Sequence, residues 1–220
     1  MQANWDELFS EMVTAISTEE QVLPSVSQVA QEKRHDPFRV LIATIISLRT
    51  KDAVTLAASE RLFALADTPH QMVRLVPQQI EQAIHSAGFY RVEAANILRI
   101  SQLLIDRHDA QVPANREALL ALPGVGVKTA NLTLNLGFGI DAICVDTHVH
   151  RIANRMGWIT TRTPEESEKA LEAIMPKQYW IPLNEVLVSY GQKICKPISP
   201  LCSTCRVSAH CQRNNVTRSR

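Results

Sequence analysis

The 220-residue sequence has almost no net charge and no long apolar run. It contains 23 Lys and Arg against 22 Asp and Glu, a formal net charge of +1, so overall charge does not indicate a nucleic-acid partner. No apolar run approaches the roughly 20 residues that a membrane span requires. The acidic, amphipathic N-terminal stretch MQANWDELFSEM resembles neither a secretory signal nor a transit peptide. We therefore expect a cytoplasmic protein with no membrane partner.

Sustained alternation of apolar and polar residues is also missing, as are internal repeats and low-complexity linkers. Only TLNLGF and AICV are weak strand candidates. Apolar residues instead recur at helical spacing, as in the stripe Val92, Ile97, Ile100 and Leu104. Helix-start signals precede such segments at Asn4, Asp36, Asp52, Asn115, Asp146 and Thr163. The sequence predicts an all-α protein with short loops.

The five cysteines divide into one isolated residue and a group of four. Cys144, in DAICVD, is predicted to be a small buried hydrophobe. The others follow the spacing C-x6-C-x2-C-x5-C, at Cys195, Cys202, Cys205 and Cys211. Without a secretory signal we do not expect disulfides, so four thiolates indicate a metal centre.

Two kinds of metal centre accept four thiolates. Structural zinc sites usually pair two short knuckles, whereas this sequence has only one short pair, Cys202 and Cys205. The wider spacings, with Pro197 and Pro200 in the first loop, favour a [4Fe–4S] cluster over zinc. His210 is a possible substitute ligand, although a surface position is the expected one.

The stretch LPGVGVKTANLT, residues 122–133, interrupts a helical pattern. Pro and Gly cost about 3 and 1 kcal/mol inside a helix, so the break favours a helix–hairpin–helix. Gly124 and Gly126 allow the backbone to approach another molecule closely, and the N–H groups that open the next helix can bind a phosphate. The alternative is a packing turn between two helices.

A lysine and an aspartate follow the hairpin. Lys128 lies in the first turn of a helix, where the positive end of the dipole disfavours an ammonium, and a neutral amine can form a Schiff base. Asp146 precedes the next helix, and a carboxylate there could stabilise an oxocarbenium-like sugar. The alternative for Asp146 is a plain helix N-cap.

Three motifs together carry a family resemblance: LPGVGVKTANLTLNLGF, VDTHVHRIANRMGW and the cysteine tail. They resemble the endonuclease III family of DNA repair glycosylases, in the helix–hairpin–helix-GPD superfamily, and the likeness runs from about Pro37 to Cys211. The resemblance implies a six-helix barrel domain over residues 30–140. It also implies a [4Fe–4S] cluster domain built from residues 1–29 and 141–220.

The resemblance further implies an activity and its location. The substrate would be double-stranded DNA with damaged bases or abasic sites, bound by a monomer associated with the nucleoid of a prokaryotic cytosol. The enzyme would remove oxidised pyrimidines and cleave the strand 3′ to the abasic site by β-elimination. A glycosylase for uracil or thymine in G mismatches is the alternative on the same fold. A non-catalytic DNA scaffold would have no use for Lys128 and Asp146.

The resemblance also assigns roles to individual residues. Lys128 would be the nucleophile and lyase residue, activated by Asp146, which also stabilises the sugar cation. The cluster ligands would be Cys195, Cys202, Cys205 and Cys211. The DNA-binding residues would be Leu122, Gly124, Val125, Gly126, Thr147 and His148.

Two positions depart from the best-known bacterial members of this family. Arg49, in IISLRTKD, replaces a glutamine that fills the space left by the flipped base, and Phe89, in GFYRVEA, replaces a leucine wedge. We expect Arg49 and Phe89 to contact DNA at this gap. The alternative is a surface charge at Arg49 and a core aromatic at Phe89.

Overall fold

A computed structural model describes residues 4–17, 23–32 and 34–220, in which every regular element is a helix. No helix in these ranges has the length and apolarity to cross a membrane. The α-helices are α1 (Trp5–Ile16), α2 (Ser25–Glu32), α3 (Pro37–Ser47), α4 (Asp52–Leu65), α5 (Pro69–Met72), α6 (Pro77–Ala83), α7 (Tyr90–His108), α8 (Arg116–Leu120), α9 (Val127–Phe138), α10 (Thr147–Met156), α11 (Pro164–Ile174) and α12 (Trp180–Lys193). Short 3₁₀ turns occupy Lys177–Tyr179 and Ser208–His210.

The chain divides into two compact units. One is continuous, Pro24–Ala142, and is called the hairpin unit below. The other combines Met1–Leu23 with Ile143–Arg220 and is called the cysteine unit.

The hairpin unit is organised around α3. Asp36 accepts hydrogen bonds from the N–H groups of Phe38 and Arg39, and Pro37 occupies the first helical position, so the helix begins with its N-terminus capped. Nearly the whole of α3 is buried, and it packs against α2, α4, α7 and α9. A Cβ atom on Gly137 of α9 would lie 3.0 Å from the Pro37 Cα. The two helices approach closely because this position carries no side chain.

The cysteine unit packs both parts of the chain into one apolar core. Helix α1 contributes Trp5, Phe9 and Met12 to a cluster shared with α10, α11 and α12. Trp5 meets Trp158 edge to face with ring centroids 5.0 Å apart, an arrangement that aromatic pairs favour. The N-terminal segment is therefore an integral part of this unit.

Most of the predicted helix caps are confirmed. The side chains of Asn4, Asp36, Asn115, Asp146 and Thr163 all accept hydrogen bonds from the first turn of the helix that follows. Asp52 is an exception, because Lys51 is the N-cap and Asp52 is the first helical residue. Its carboxylate instead accepts a hydrogen bond from Ser25 Oγ at 3.1 Å.

Two further expectations are wrong in an informative way. Val92 is 57% exposed, whereas Ile97, Ile100 and Leu104 are fully buried. Ile97 follows Val92 by five residues. At about 100° of rotation around the helix axis per residue, this spacing places Val92 outside the buried stripe. TLNLGF is the C-terminal half of α9, and AICV belongs to a stretch without helix or strand.

Candidate functional site

The hairpin between α8 and α9 turns its larger side chains inward and its glycines outward. Leu122 and Val125 are only 5% and 7% exposed, while Gly124 and Gly126 are exposed. The Val125 N–H donates to the Leu122 carbonyl at 3.2 Å and closes the turn. What the hairpin presents to solvent is therefore mainly backbone, so Leu122 and Val125 can contribute to a surface contact only through main-chain atoms.

The two hairpin glycines differ in how the structure would respond to a side chain at their positions. Gly124 has φ +73°, a conformation that favours glycine, and a Cβ there would lie 2.5 Å from the Asn96 Nδ2, so the Asn96 side chain would have to move. Gly126 is extended, and a Cβ there would meet no other atom within 4 Å. The fold of this unit thus tolerates a methyl group at Gly126 but not at Gly124.

Lys128 is the second residue of α9 and is half-buried. Gly126 is the N-cap and no side chain caps the helix, although the Gly126 carbonyl accepts from the Ala130 N–H at 2.9 Å. The positive end of the α9 dipole lies at this start and favours an anion. Lys128 therefore lies beside a place suited to a phosphate.

Asp146 lies in the cysteine unit and caps α10. Its Oδ1 accepts from the backbone N–H groups of His148 at 2.8 Å and Val149 at 2.9 Å, so the cap does not use the second carboxylate oxygen. Asn184 of α12 donates from Nδ2 to the Cys144 carbonyl at 3.3 Å. This hydrogen bond holds the backbone two residues before Asp146 against α12. Cys144 is fully buried, which confirms its predicted role as a small core residue.

Thr147 and His148, which follow Asp146, have different surroundings. Thr147 is exposed. The His148 Nδ1 lies 3.1 Å from the Arg151 Nη2, and the imidazole packs so closely on Gly191 that a Cβ there would lie 2.4 Å from it. The His148 side chain is therefore engaged within its own unit.

Arg49 and Phe89 come together in the hairpin unit. The Arg49 guanidinium lies over the Phe89 ring, 4.9 Å from its centroid, within the range of a cation–π contact. Phe89 is 61% exposed, so it is not the core aromatic of the alternative interpretation, and Arg49 is exposed as well. The structure thus presents an aromatic ring and a cation side by side on one surface.

Both residues adopt a left-handed backbone conformation. Arg49 has φ 56° and Phe89 has φ 54°, values that are uncommon outside glycine. The Gly88 N–H donates to Thr50 Oγ1 at 2.9 Å, and a Cβ on Gly88 would lie 2.8 Å from the Arg49 carbonyl oxygen. Contacts between the two turns hold this strained arrangement, which is typical of functional sites.

A buried carboxylate lies behind this pair. Glu93 is 9% exposed, and burial raises its pKa, while the Asn96 side chain and the nearby Arg49 charge act in the opposite direction. The Asn96 Nδ2 donates to Glu93 Oε2 at 3.3 Å and also lies against Gly124 of the hairpin. Glu93 and Asn96 therefore connect the Arg49–Phe89 pair to the hairpin.

The four clustered cysteines line a single cavity in the cysteine unit. Its wall includes Ile152, Met156, Tyr190, Ile194, Leu201 and Val207 as well as Cys195, Cys202, Cys205 and Cys211. Burial raises the pKa of the Cys211 thiol, and the charges of the other three cysteines raise it further. Cys211 is thus close enough to the other three for negative charge on them to act on it, and a bound cationic centre would offset such charge.

Three of the four sulfurs have donors from the protein. The Tyr190 hydroxyl oxygen lies 3.0 Å from Cys205 Sγ, the Arg155 Nη1 lies 3.5 Å from Cys195 Sγ, and the Arg213 N–H lies 3.4 Å from Cys211 Sγ. Burial and the neighbouring Cys205 raise the pKa of Tyr190, so its hydroxyl keeps its proton. These contacts suit anionic sulfur ligands.

The cysteine geometry bears on which metal centre fits. Among the described residues, no three His, Cys, Asp or Glu side chains are arranged to hold a single ion. Each iron of a four-iron cluster takes its own thiolate, so cluster ligands can surround a cavity without meeting at one point. His210 is exposed, with Nε2 3.5 Å from Glu7 Oε1, which confirms its predicted surface position.

Several residues at these sites carry no signal in the sequence. Tyr190, Arg155 and Asn96 lie in helices whose apolar spacing gives no reason to single them out. Arg155 meets Cys195 across 40 residues, Tyr190 meets Cys205 across 15, and Asn96 lies against Gly124 of the hairpin. A helix pattern reports which face is buried, but not which buried polar atom meets a distant partner.

Comparison with known proteins assigns the family. Residues 42–177 match the model of the HhH-GPD superfamily base excision DNA repair protein family. Endonuclease III of Thermotoga maritima is 47% identical over 180 residues, which cover 82% of this chain and 84% of that protein. Endonuclease III homolog 2, chloroplastic, of Arabidopsis thaliana is 40% identical over 79% of this chain, which spans only 47% of that longer protein.

Solved structures agree with this assignment. A non-covalent endonuclease III–DNA complex has a TM-score of 0.82 to this chain at 33% identity, with 97% of each chain covered. Its helical architecture matches the one described above. The chain therefore belongs to the endonuclease III family of the HhH-GPD superfamily of base excision DNA repair proteins.

Proposed function

We propose that this chain is a bifunctional DNA glycosylase and AP lyase that removes oxidised pyrimidines from duplex DNA. The observation that carries the proposal is Lys128, half-buried beside the uncapped start of α9 and the outward glycines of the hairpin, in a chain of the endonuclease III family. A glycosylase for G mismatches has less support, since the lyase nucleophile is present.

The hairpin would bind the DNA backbone without selecting a sequence. Gly124 and Gly126 expose main-chain atoms, and the N–H groups at the start of α9 would donate to a phosphate bound there. Phosphate contacts of this kind fix position on the duplex but do not distinguish bases. The damaged nucleotide must then leave the stack before its sugar can be attacked.

The chemistry proceeds at the sugar of the flipped nucleotide. The Lys128 Nζ, as a neutral amine, attacks C1′, and the bond from C1′ to the base breaks, so the base departs with the electron pair. The Asp146 carboxylate stabilises positive charge on the sugar and accepts a proton from the lysine. The nitrogen lone pair then expels the ring oxygen O4′, which takes up a proton, and C1′ becomes an imine. The imine acidifies the C2′ proton; its removal forms the C2′–C3′ double bond and breaks the bond from C3′ to the 3′ phosphate oxygen, so that the phosphate leaves.

Arg49 and Phe89 would occupy the gap that the flipped base leaves. The exposed Phe89 ring offers a stacking surface, worth about 1–3 kcal/mol on an unpaired base. The Arg49 guanidinium offers donors that suit the acceptor-rich edge of guanine. Their contact with each other presents both groups to the partner base together.

The cysteine cavity fits a [4Fe–4S] cluster. Cys195, Cys202, Cys205 and Cys211 would hold it, and the adjacent donors would satisfy the sulfur charges. When bound, such a cluster supplies a covalent tie between four points of the chain and a one-electron centre. The segment from Cys195 to Cys211 has only one short 3₁₀ turn, so its order would depend on this tie.

Several expectations stay predictions. They are the division into residues 30–140 and residues 1–29 with 141–220, the DNA contacts of Thr147 and His148, the monomeric state, and the cytoplasmic, nucleoid-associated location. Residues 1–3, 18–22 and 33 lie outside the described ranges.

The first prediction concerns the metal. Protein purified anaerobically should contain about four iron atoms and four acid-labile sulfides per chain, because four thiolates close one cubane. Metal analysis and a sulfide assay check this. Zinc without sulfide would assign the cavity to the other kind of centre.

The second prediction separates nucleophile from electrostatic partner. Lys128→Gln should lose borohydride trapping on damaged DNA, whereas the exposed Lys169→Gln should trap like wild type.

Asp146→Asn keeps a good N-cap and should bind DNA normally but turn over about 100-fold more slowly or worse. Asp141→Asn, exposed in the same stretch, is its control. Strand cleavage by elimination in Lys128→Gln would show that another group is the nucleophile.

The third prediction uses the difference between the hairpin glycines. Gly126→Ala should melt like wild type, because its Cβ has open space, but should bind duplexes of every sequence about tenfold more weakly. Gly124→Ala should lower the melting temperature, because of its φ of +73° and the contact with Asn96. Thermal melts and anisotropy titrations on several duplexes check both. A Gly126→Ala defect confined to one sequence would contradict phosphate binding.

The fourth prediction concerns the Arg49–Phe89 pair. Wild type should process a lesion opposite G faster than opposite A, and Arg49→Ala should lose that bias, whereas Arg99→Ala, exposed on α7, should keep it. Phe89→Ala should slow cleavage of duplex DNA much more than borohydride trapping on a single-stranded abasic site. Single-turnover rates with all four opposite bases measure this, and equal rates unchanged in Arg49→Ala would exclude the role.

A further inference from the structure

Of the sulfur contacts described above, the one between the Tyr190 hydroxyl and Cys205 is the shortest. It lies on α12, is 1% exposed and belongs to the apolar core of the cysteine unit. Its hydroxyl oxygen is 3.0 Å from Cys205 Sγ, at the wall of the cavity. A hydroxyl buried in an apolar core needs a partner, and this sulfur is the partner it has.

The state of Cys205 fixes the direction of this hydrogen bond. A cysteine bound to iron is a thiolate and has no proton to donate. The Tyr190 O–H must then be the donor and the sulfur the acceptor. Hydrogen bonds to ionised acceptors are stronger than neutral ones, and exclusion of water strengthens them further.

The other donors at the cavity have different principal partners. The buried Arg155 guanidinium donates to the Lys196 and Pro197 carbonyls, both at 2.7 Å, while its contact with Cys195 Sγ is 3.5 Å. Its main effect is to fix the loop after Cys195. The Arg213 donor to Cys211 is a backbone N–H at 3.4 Å. Tyr190 is thus a side-chain donor whose hydroxyl is directed at sulfur.

We propose that Tyr190 is a positioning and tuning residue for the iron–sulfur centre, which orients the Cys205 thiolate by donating to it and raises the reduction potential of the cluster. The proposal rests on the cluster assigned under the proposed function. A donor to a ligand sulfur stabilises the form of the cluster that carries more negative charge, which is the reduced form. Removal of the donor should therefore make the cluster harder to reduce.

The test replaces one hydroxyl with hydrogen in the full chain. Tyr190→Phe preserves the ring in the core and removes only the donor. Tyr179→Phe is the matched control, because Tyr179 is also buried in the cysteine unit, but its hydroxyl donates to Asp6 and not to a sulfur. Both proteins are purified anaerobically, and iron, sulfide, helical circular dichroism and the cluster potential by protein-film voltammetry are measured.

We expect a more negative potential in Tyr190→Phe than in wild type, and no shift in Tyr179→Phe. The resonance Raman bands of the iron–cysteine bonds should shift between H₂O and D₂O in wild type, and less so in Tyr190→Phe. Loss of the cluster from Tyr190→Phe with unchanged circular dichroism would also support the proposal, since the hydroxyl is then needed for retention. An unchanged potential, together with the same D₂O shift as wild type, would overturn it.

Failure of this inference is distinguishable from failure of the proposed cofactor. Wild type without iron and sulfide would remove the cluster itself. Wild type with a full cluster, and Tyr190→Phe with the same potential and Raman response, would remove only the role of Tyr190. Neither outcome depends on glycosylase activity.

Discussion

The packing of α9 against α3 determines where the hairpin unit can present its chemistry. Helix α3 is buried along nearly its whole length, and the missing side chain at Gly137 brings α9 within contact of Pro37. The C-terminal end of α9 is fixed as well, since the Asn135 side chain both donates to the Ala142 carbonyl and accepts from its N–H. A helix held in this way has little freedom at its other end, where Gly126 and Lys128 lie. The positions of the Gly126 backbone and of Lys128 are thus set by contacts several turns away.

In two exposed regions of this unit, neighbouring contacts hold the exposed residues in place. In the hairpin, buried Leu122 and Val125 hold exposed backbone at Gly124 and Gly126. At the Arg49–Phe89 pair, Gly88 and Thr50 join two turns whose exposed residues are in left-handed conformations. Each such residue costs of order 1–3 kcal/mol, and the surrounding contacts must offset this cost. Asn96 contacts Gly124 of the hairpin and also Glu93, which lies near Arg49. A change in the hairpin would therefore alter the surroundings of the Arg49–Phe89 pair.

The local features of this fold could be predicted because they have local causes. A short polar side chain before a helix predicted the cap at Asp36 and at Asp146, and both are observed. Asp52 failed because a tertiary partner, Ser25, competes for its carboxylate. Cysteine spacing singled out the four residues that line the cavity but not Tyr190, whose partner lies 15 residues away, outside any helix. The exposure of Phe89 followed from the family resemblance and not from its residue type, since an aromatic residue between two helices fits a core equally well. Sequence pattern gives the burial of a helix face, and only the fold shows which polar groups meet.

The location of charge in the structure explains why the amino-acid composition does not indicate the ligand. The hairpin offers a polyanion the partial positive charge of backbone N–H groups, which add nothing to the formal charge of the chain. The cysteine cavity gathers potential negative charge at four sulfurs, and their mutual repulsion raises the pKa of Cys211 beyond the effect of burial. Buried donors such as Tyr190 and Arg155 offset that charge from inside the fold. Both electrostatic problems are solved by groups within a few ångströms, so a net charge of +1 is compatible with DNA as the ligand. Formal net charge counts only ionised groups, so it does not report the direction of backbone dipoles.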